Sequence, residues 1–202
     1  MMRNLTGLLA VILTTSAVVA GGITATDDGR ILLLDRSAGL FLVNSDETIR
    51  LDVELPRNGA NFLQEQLDEG DFGNVLDASE QLRYSDVMIA RDGANRALVV
   101  SYTEFHIDES CFTSTLAKYV LPAGQVLDDI KITSDDWIDL ARASPCLEPF
   151  EDELPTFGLK AGGRVAQYDG DTEKVIWSVG DDAEVMEVNL SDGDYRVIAR
   201  GR

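Results

Sequence analysis

Residues 163–200 contain four short segments in which β-branched, aromatic and aliphatic residues recur between polar ones. The segments read GRVAQYD, KVIWSV, EVMEVNL and DYRVIARG, and the short acidic connections between them read GDTE, GDDA and SDGD. Such segments favour half-buried strands, and Asp and Gly favour the turns that join them. Four strands joined this closely predict one small antiparallel sheet, which can bury its apolar face only against a neighbour. The pattern is typical of all-β sandwiches and propellers, in which four such strands make one blade.

The same strand-and-turn rhythm recurs upstream. Two apolar runs, Ile31–Leu34 and Leu40–Val43, flank a DRSAG loop and predict a hairpin, and ETIRLDVEL then alternates at period two. Further on, SDVMIA, ALVVSYTEF and CFTSTLAKYVL predict three more strands. We therefore expect an all-β fold, a partial β-propeller of about three blades with a repeat of about 45–60 residues. A two-sheet sandwich is the alternative, and it predicts that residues 164–199 divide between two facing sheets.

Two segments allow more than one interpretation. Asn61 is a suitable N-cap for a short helix through Leu67, but the surrounding glycines also suit a long, partly helical connection. The stretches GQVLDDIKIT and WIDLARA either continue the sheet or, in the case of the second, form a helix with Ser134 as its N-cap.

The first twenty residues differ in kind from the rest of the chain. A start of MMRN with one positive charge is followed by LTGLLAVILTTSAVVA, which is apolar or small throughout. This order is typical of a secretory signal peptide, and a retained membrane anchor is the alternative. We expect residues 1–20 to be the signal peptide, cleaved after Ala20, and residues 21–202 to form the exported domain, periplasmic or secreted and without a membrane segment after cleavage.

The charge of the chain limits its partners. The 17 basic and 36 acidic residues give a net charge of −19, and the isoelectric point is near 4.2. A surface this acidic excludes non-specific attraction to nucleic acid and to anionic membranes. Because the acidic residues are spread among apolar runs, they indicate a solvated surface and not a disordered tail.

The two cysteines, Cys111 and Cys146, gain meaning from export. An oxidising compartment favours a disulfide between them. Metal ligation is the competing interpretation, although the chain has no Cys-x-x-Cys spacing that would support it. We expect the disulfide.

Residues 80–202 resemble a known family at the level of pattern. The segment GGRVAQYDGDTEKVIWSVGDD is similar to the Gly-Gly-Arg-Leu, Asp-Gly hairpin and Gly-Asp series of soluble glucose/sorbosone dehydrogenase-like proteins. RALVVSYTEF, AKYVL and ARASPC also resemble the preceding blade of those propellers. The most specific positions are Gly162, Gly163, Arg164, Gly180 and Asp181.

The resemblance implies an exported six-bladed β-propeller that oxidises aldose sugars with pyrroloquinoline quinone (PQQ) and calcium. It places the Gly162–Gly163–Arg164 segment at the mouth of the central channel, where small residues leave room for a flat ligand and Arg164 is a structural or ligand-facing cation. The alternative is that the two glycines shape a strand entry and that Arg164 pairs with a surface carboxylate.

Two departures from the family pattern bear on activity. The family has its catalytic histidine four residues before the motif arginine, where this chain has Lys160. A lysine is protonated at neutral pH and cannot accept the sugar's proton unless burial lowers its pKa. The only histidine, His106, lies in another segment, and we expect it at the surface.

The second departure concerns the last strand. In the family, the strand that DYRVIARGR resembles leads into an Arg-Asn-x-Gln-Gly segment and further blades with cofactor and calcium contacts. The resemblance therefore implies an N-terminal portion of such a propeller, with the remaining blades missing and no PQQ or calcium held by this chain alone. The first functional hypothesis is a PQQ-dependent aldose dehydrogenase-like protein, inactive as this chain alone. The alternative is a non-catalytic propeller-like binding or scaffold module.

Several conspicuous side chains have a plain structural interpretation beside the functional one. Asp169, Asp171, Asp181 and Asp182 offer oxygen ligands for calcium, but no known calcium-loop pattern is present, and Asp also bonds its own backbone in turns. We therefore expect no metal site. Trp137 and Trp177 fit core packing better than sugar stacking.

Overall fold

The structure is a computed structural model, and it describes residues 20–35, 39–56, 82–106, 111–144, 154, 156–157, 163–179 and 184–200. Fifteen strands and two short 3-10 turns make up the regular structure of these residues, which contain no α-helix. The all-β prediction is therefore confirmed for the described part of the chain. Residues 1–19, the predicted helix at 61–67 and Cys146 lie outside it.

The first sheet is an antiparallel meander in the order β1-β2-β3-β4. Its strands are β1 (Ala20–Ala25), β2 (Ile31–Asp35), β3 (Gly39–Val43) and β4 (Thr48–Arg50), and a short strand β5 (Asp52–Val53) follows. The predicted hairpin of apolar runs is confirmed, because Leu32 pairs with Leu42 and Leu34 pairs with Leu40. Both pairs are buried.

The second sheet has the order β11-β10-β8-β7-β6. Its strands, with the intervening β9, are β6 (Leu82–Asp92), β7 (Asn95–His106), β8 (Cys111–Leu121), β9 (Lys131–Ile132), β10 (Ile138–Ala143) and β11 (Thr156–Phe157). Strands β6, β7, β8 and β10 pair antiparallel, β11 joins β10 in parallel, and β9 pairs in parallel with β5. Gly93 lies in the tight β6–β7 turn with a positive φ of 63°. Glycine adopts this backbone conformation readily, whereas a residue with a side chain would be strained in it.

The third sheet is the four-stranded meander predicted from residues 163–200. Its strands are β12 (Gly163–Asp169), β13 (Lys174–Val179), β14 (Glu184–Asn189) and β15 (Tyr195–Ala199), each paired antiparallel with the next. Since all four belong to one sheet, the sandwich alternative, which divided these strands between two sheets, is wrong.

The second sheet lies between the other two and is apolar on both faces. Leu98, Val100 and Tyr102 face a core shared with the first sheet. Ala97 and Val99, which alternate with them along β7, face a core shared with the third sheet. This period-two division follows from the pleat of a strand, whose successive side chains point to opposite faces.

The first strands of the three sheets are neighbours. Strand β6 contacts β1 of the first sheet and also β12 of the third. None of the three sheets closes on itself. Since β6 contacts both β1 and β12, the first strand of the second sheet lies beside the first strand of each of the other two sheets.

The ambiguous segment between β8 and β10 contains 3-10 turns and strand. Leu127–Asp129 and Ser134–Asp136 are 3-10 turns, and WIDLARA contributes β10. Ser134 is not the capping residue: Thr133 precedes the second turn, and its backbone N–H and hydroxyl both donate to Asp136 Oδ2, at 2.7 and 2.8 Å. An N-cap is therefore present, but it is Thr133 and not the predicted Ser134, and it begins a single 3-10 turn and not a helix.

Candidate functional site

The predicted site lies at one end of the β12–β13 hairpin. Gly163 and Arg164 begin β12 and pair with Val179 and Ser178 at the end of β13. This pairing confirms the predicted hairpin and puts the first residues of β12 beside the last residues of β13. The side chain of Arg164 is not among those described.

The other residues of the predicted site cannot be placed. Lys160, Gly162, Gly180 and Asp181 lie outside the described residues. The structure therefore does not decide between a ligand-facing role and a strand-entry role for the Gly162–Gly163–Arg164 segment. Both remain predictions.

The acidic turn at the opposite end of the hairpin is held by hydrogen bonds among its own residues. The Asp171 N–H donates to Asp169 Oδ1 at 3.1 Å, and Thr172 Oγ1 donates to Asp169 Oδ2 at 2.8 Å. These bonds, that from Thr172 most of all, lower the pKa of Asp169 below its usual range. Asp169 thus does what Asp commonly does in turns, which is to satisfy nearby backbone and hydroxyl donors.

A cluster of three polar side chains joins the second and third sheets. Lys118 Nζ, on β8, donates to Asp92 Oδ2 at 2.8 Å and to the Tyr168 hydroxyl, on β12, at 3.0 Å. The Lys118 and Asp92 side chains are only 18% and 14% exposed. We call these three residues the Lys118 cluster: its ion pair with Asp92 lies within the second sheet, and its hydrogen bond to Tyr168 reaches the third sheet.

Lys118 and Tyr168 keep their protons at neutral pH because the pKa of each group is raised. Burial opposes the charge on Lys118, but the hydrogen bonds to Asp92 and Tyr168 outweigh it, so the pKa of Lys118 is raised above 10.5. Burial also raises the pKa of the Tyr168 phenol. Neither group is a base at neutral pH, so the arrangement suits a structural link better than proton transfer.

Sequence reasoning missed the Lys118 cluster, although one signal was present. Lys118 is the only charged residue within β8, and it stands opposite Val99 in register. Val99 faces the core shared with the third sheet, so a lysine at that position needs a partner from that sheet or from its own. The register that identifies the partner is not readable from the sequence.

Two glycines outside the predicted site let backbones approach closely. A Cβ atom on Gly170, after β12, would stand 2.1 Å from Asp92 Oδ1 and 2.8 Å from Asp92 Cα. A Cβ atom on Gly22, in β1, would stand 2.6 Å from both Asp86 Oδ1 and the Val87 nitrogen. The close-approach role that the sequence suggested for Gly162 and Gly163 is therefore seen at Gly22 and Gly170, where β1 and β12 meet β6 and its turn.

Both tryptophans serve packing, as predicted. Trp177 is fully buried in the core between the second and third sheets. Trp137 packs against the other core, contacts Tyr119 edge-on, and donates its indole N–H to the Glu54 carbonyl at 2.8 Å.

The histidine and the cysteines remain open. His106 ends β7 and pairs in register with Cys111, which begins β8. Neither side chain is described, and Cys146 lies outside the described residues. The predicted disulfide between Cys111 and Cys146 is therefore still a prediction.

The described residues contain no cluster of metal-ligating side chains. Calcium takes six to eight oxygen ligands, mostly carboxylates and carbonyls. No group of three or more histidine, cysteine or acidic side chains that could hold a metal occurs within the described ranges. The oxygens of Asp169 are already engaged in their own turn.

No protein-family model matches the chain, and no curated protein matches it either. The likeness to the sugar dehydrogenase-like family thus depends on the quoted sequence pattern alone. In the described part of the chain, no helix is long and apolar enough to cross a membrane.

Proposed function

We propose that this protein is an exported, propeller-type binding or scaffold module made of consecutive β-sheet blades. The observation that carries the proposal is the contact of β6 with both β1 and β12, which brings the first strands of three successive meanders together. Blades of a propeller are arranged in this way, with their first strands around a common axis.

The two-faced core of the second sheet supports the same architecture. A blade inside a propeller is covered on both faces, whereas an outer layer of a sandwich is covered on one. β7 contributes Leu98 and Val100 to one core and Ala97 and Val99 to the other.

The acidic surface defines the partners of such a module. With a net charge of −19, it repels nucleic acid, anionic lipid and acidic proteins at physiological ionic strength. A neutral or cationic partner is the class that this surface accepts.

An activity assay with substitutions at Lys160 tests whether the protein is non-catalytic. The purified chain, loaded with PQQ and calcium and given an aldose and a redox dye, should reduce no dye, because a protonated lysine takes no proton from the sugar. The variant Lys160→His should be equally inactive if the rest of a sugar site is absent. Lys174→His, at an exposed position on β13, is the matched control. Sugar-dependent dye reduction by Lys160→His, above the Lys174→His background, would overturn the proposal.

The second candidate is a PQQ-dependent aldose dehydrogenase-like protein. Its support is the Gly162–Gly163–Arg164 and Gly180–Asp181 pattern in the sequence. Because the resemblance implies that further blades hold PQQ and calcium, this candidate predicts that PQQ and calcium together raise the thermal midpoint of the chain only when it is joined to such blades, and that Arg164→Ala reduces this shift. Absence of any shift would leave the scaffold assignment as the better account.

A further inference from the structure

Strand β15 is an exposed edge of the third sheet. Among the described strands it pairs with β14 alone, so its other backbone edge faces away from the sheet. All five of its residues are exposed. Three of the six large apolar side chains that are exposed in the described part of the chain lie on this strand: Tyr195 at 50%, Val197 at 37% and Ile198 at 45%.

Natural proteins usually protect such an edge against pairing with another chain. Lysine, proline and bulges are the common means of protection. Tyr195–Ala199 contains neither lysine nor proline, and its register with β14 shifts only between Val197 and Ala199. An edge that is apolar, exposed and lightly protected is a place where a further strand can pair.

The charges at this edge are balanced, unlike those of the chain as a whole. Arg196 donates to both carboxylate oxygens of Glu187 at 3.1 Å, and Arg200 Nε lies 3.0 Å from Glu184 Oε1. Each carboxylate of β14 is therefore neutralised by an arginine, in a chain whose net charge is −19. A cationic partner finds no surplus of negative charge here, whereas a second copy of the chain meets little repulsion.

The sequence around β15 is complementary to itself in antiparallel pairing. A register centred on Val197 sets Asp194 of one copy opposite Arg200 of the other, because each lies three residues from the centre. Opposite charges in directly opposed positions stabilise a pair of strands. The neighbouring registers are unfavourable: a centre at Arg196 opposes two guanidinium groups, and a centre at Ile198 sets Arg196 opposite Arg200.

We propose that the protein forms a twofold-symmetric dimer in which β15 of one copy pairs antiparallel with β15 of a second copy, centred on Val197. The third sheets of the two copies then join into one continuous sheet with two four-stranded halves. Because each copy has one such edge, pairing uses both edges and stops at two copies. The inference depends on the fold of the third sheet and not on the proposed binding or scaffold function.

The contact is small, so the dimer should be weak and reversible. Interfaces that bury less than about 1,200 Å² in total are typical of transient complexes. Two five-residue strands with their exposed apolar side chains belong to this class. We expect a dissociation constant on the order of 10–100 μM.

Sedimentation velocity over a range of protein concentrations tests the dimer, and two lysine substitutions locate it. Val197→Lys places two like charges directly opposite each other, so it should raise the dissociation constant at least about tenfold. Val126→Lys is the matched control, because Val126 is 50% exposed, lies outside the third sheet and undergoes the same change. It should dimerise like the wild type.

A charge reversal tests the register. Asp194→Lys puts a lysine opposite Arg200 of the second copy and should weaken the dimer. Asp46→Lys, at an exposed position between β3 and β4, makes the same change in net charge away from β15. It should leave the dimer unchanged or strengthen it, because it reduces the repulsion between two acidic chains.

Hydrogen exchange of the wild-type protein needs no substitution. The amides of β15 should become more protected as the concentration rises through the dissociation constant, while those of β13 stay unchanged. A monomer at every concentration up to about 1 mM, or a dimer that Val197→Lys leaves intact, would overturn the inference. Equal loss of the dimer in Val197→Lys and Val126→Lys would place the contact elsewhere and overturn it too, and equal weakening by Asp194→Lys and Asp46→Lys would reject the register centred on Val197.

Discussion

Trp177 is completely buried, yet its indole N–H has no hydrogen-bond acceptor in the part of the chain that the structure describes. A buried donor without a partner costs about 1–3 kcal/mol relative to one that is satisfied. The ring nevertheless fills the core beside Val165 and Met186, its neighbours across β12 and β14. The residue is retained for its volume, and its polar atom opposes stability.

Two substitutions separate these contributions. Trp177→Ala should lower the free energy of unfolding by about 3–5 kcal/mol, as for other large aromatic truncations in cores. Trp177→Phe keeps most of the packing and removes the unsatisfied donor, so it should cost less than about 1.5 kcal/mol. Urea unfolding followed by circular dichroism measures both. Equal losses would mean that the indole N–H makes a bond that matters.

Gly170 provides a second test at the same scale. The residue does not have a positive φ, so the cost of a side chain there comes from the clash with Asp92, whose Cα would be 2.8 Å from the new atom. Gly170→Ala should lower the free energy of unfolding by about 1–3 kcal/mol, the usual cost of overpacking. The neighbouring exposed Asp171→Ala is the control and should change it little. A neutral Gly170→Ala would show that β12 does not approach the β6–β7 turn this closely.

The strands could be predicted from the sequence more completely than the tertiary contacts between them. The alternation in residues 163–200 and the apolar runs around residue 36 correctly predicted six strands and their hairpins, because strand periodicity is local. Gly22 and Gly170 could not be selected from seventeen glycines. Their role depends on which strands cross, and crossing is a property of tertiary packing. For the candidate site, only the hairpin itself was recovered from the sequence.

At the scale of elements, the Lys118 cluster connects β8 and the β6–β7 turn to β12. Its lysine is the only charged residue of β8 and lies on the face that packs against the third sheet, so the cluster replaces apolar contact there with a directional one. Directional contacts fix the register between packed sheets more precisely than apolar packing does. We infer that the Lys118 cluster fixes how the third sheet sits on the second.

Removal of the lysine should destabilise the protein in a pH-dependent way. Lys118→Met leaves the partly buried Asp92 and Tyr168 without their hydrogen bonds to the lysine. The substitution should lower the free energy of unfolding by about 1–3 kcal/mol at pH 7. The pKa of Lys118 is raised in the folded protein, so its contribution is complete below about pH 10.5 and is lost as the pH rises further. The difference in the free energy of unfolding between the wild type and Lys118→Met, measured in urea, should therefore become smaller above pH 11.

The matched control is a surface pair of the same kind. Lys131 and Asp52 are 76% and 74% exposed, with 3.9 Å between Nζ and Oδ2. Lys131→Met should change stability by less than about 0.5 kcal/mol, because exposed pairs are screened by solvent. If both lysine variants lose the same stability, the Lys118 cluster has no special role between the sheets.

At the scale of the whole molecule, the acidic surface is the dominant electrostatic feature. A net charge of −19 on 202 residues makes the folded state repel itself. Added salt screens this repulsion over a Debye length of about 10 Å at 0.1 M. The thermal midpoint should therefore rise between 0.02 M and 0.5 M sodium chloride. A falling midpoint would show that the favourable ion pairs, such as Arg196 with Glu187, outweigh the repulsion.

The order of the sheets was the part of the architecture that the sequence indicated only in outline. It predicted about three blades of antiparallel strands, and three sheets of four, five and four strands follow one another along the chain, with a two-stranded parallel sheet of β5 and β9 beside them. It did not reveal that the second sheet is buried on both faces, because Ala97–Val100 is a continuous apolar run whose two faces cannot be told apart without neighbours. Closure into a ring and the dehydrogenase-like function remain proposals.

The central claim is that the first strands of the three sheets lie side by side, with β6 between β1 and β12. Nuclear Overhauser contacts in the isotope-labelled protein test it directly. The account predicts proton contacts between Gly22 and the Val87 amide on one side of β6, and between Gly170 and Arg91–Asp92 on the other, where the Gly170 N–H donates to the Arg91 carbonyl at 3.2 Å. Contacts of β1 directly with β12, or the absence of both sets while the three meanders remain intact, would contradict it.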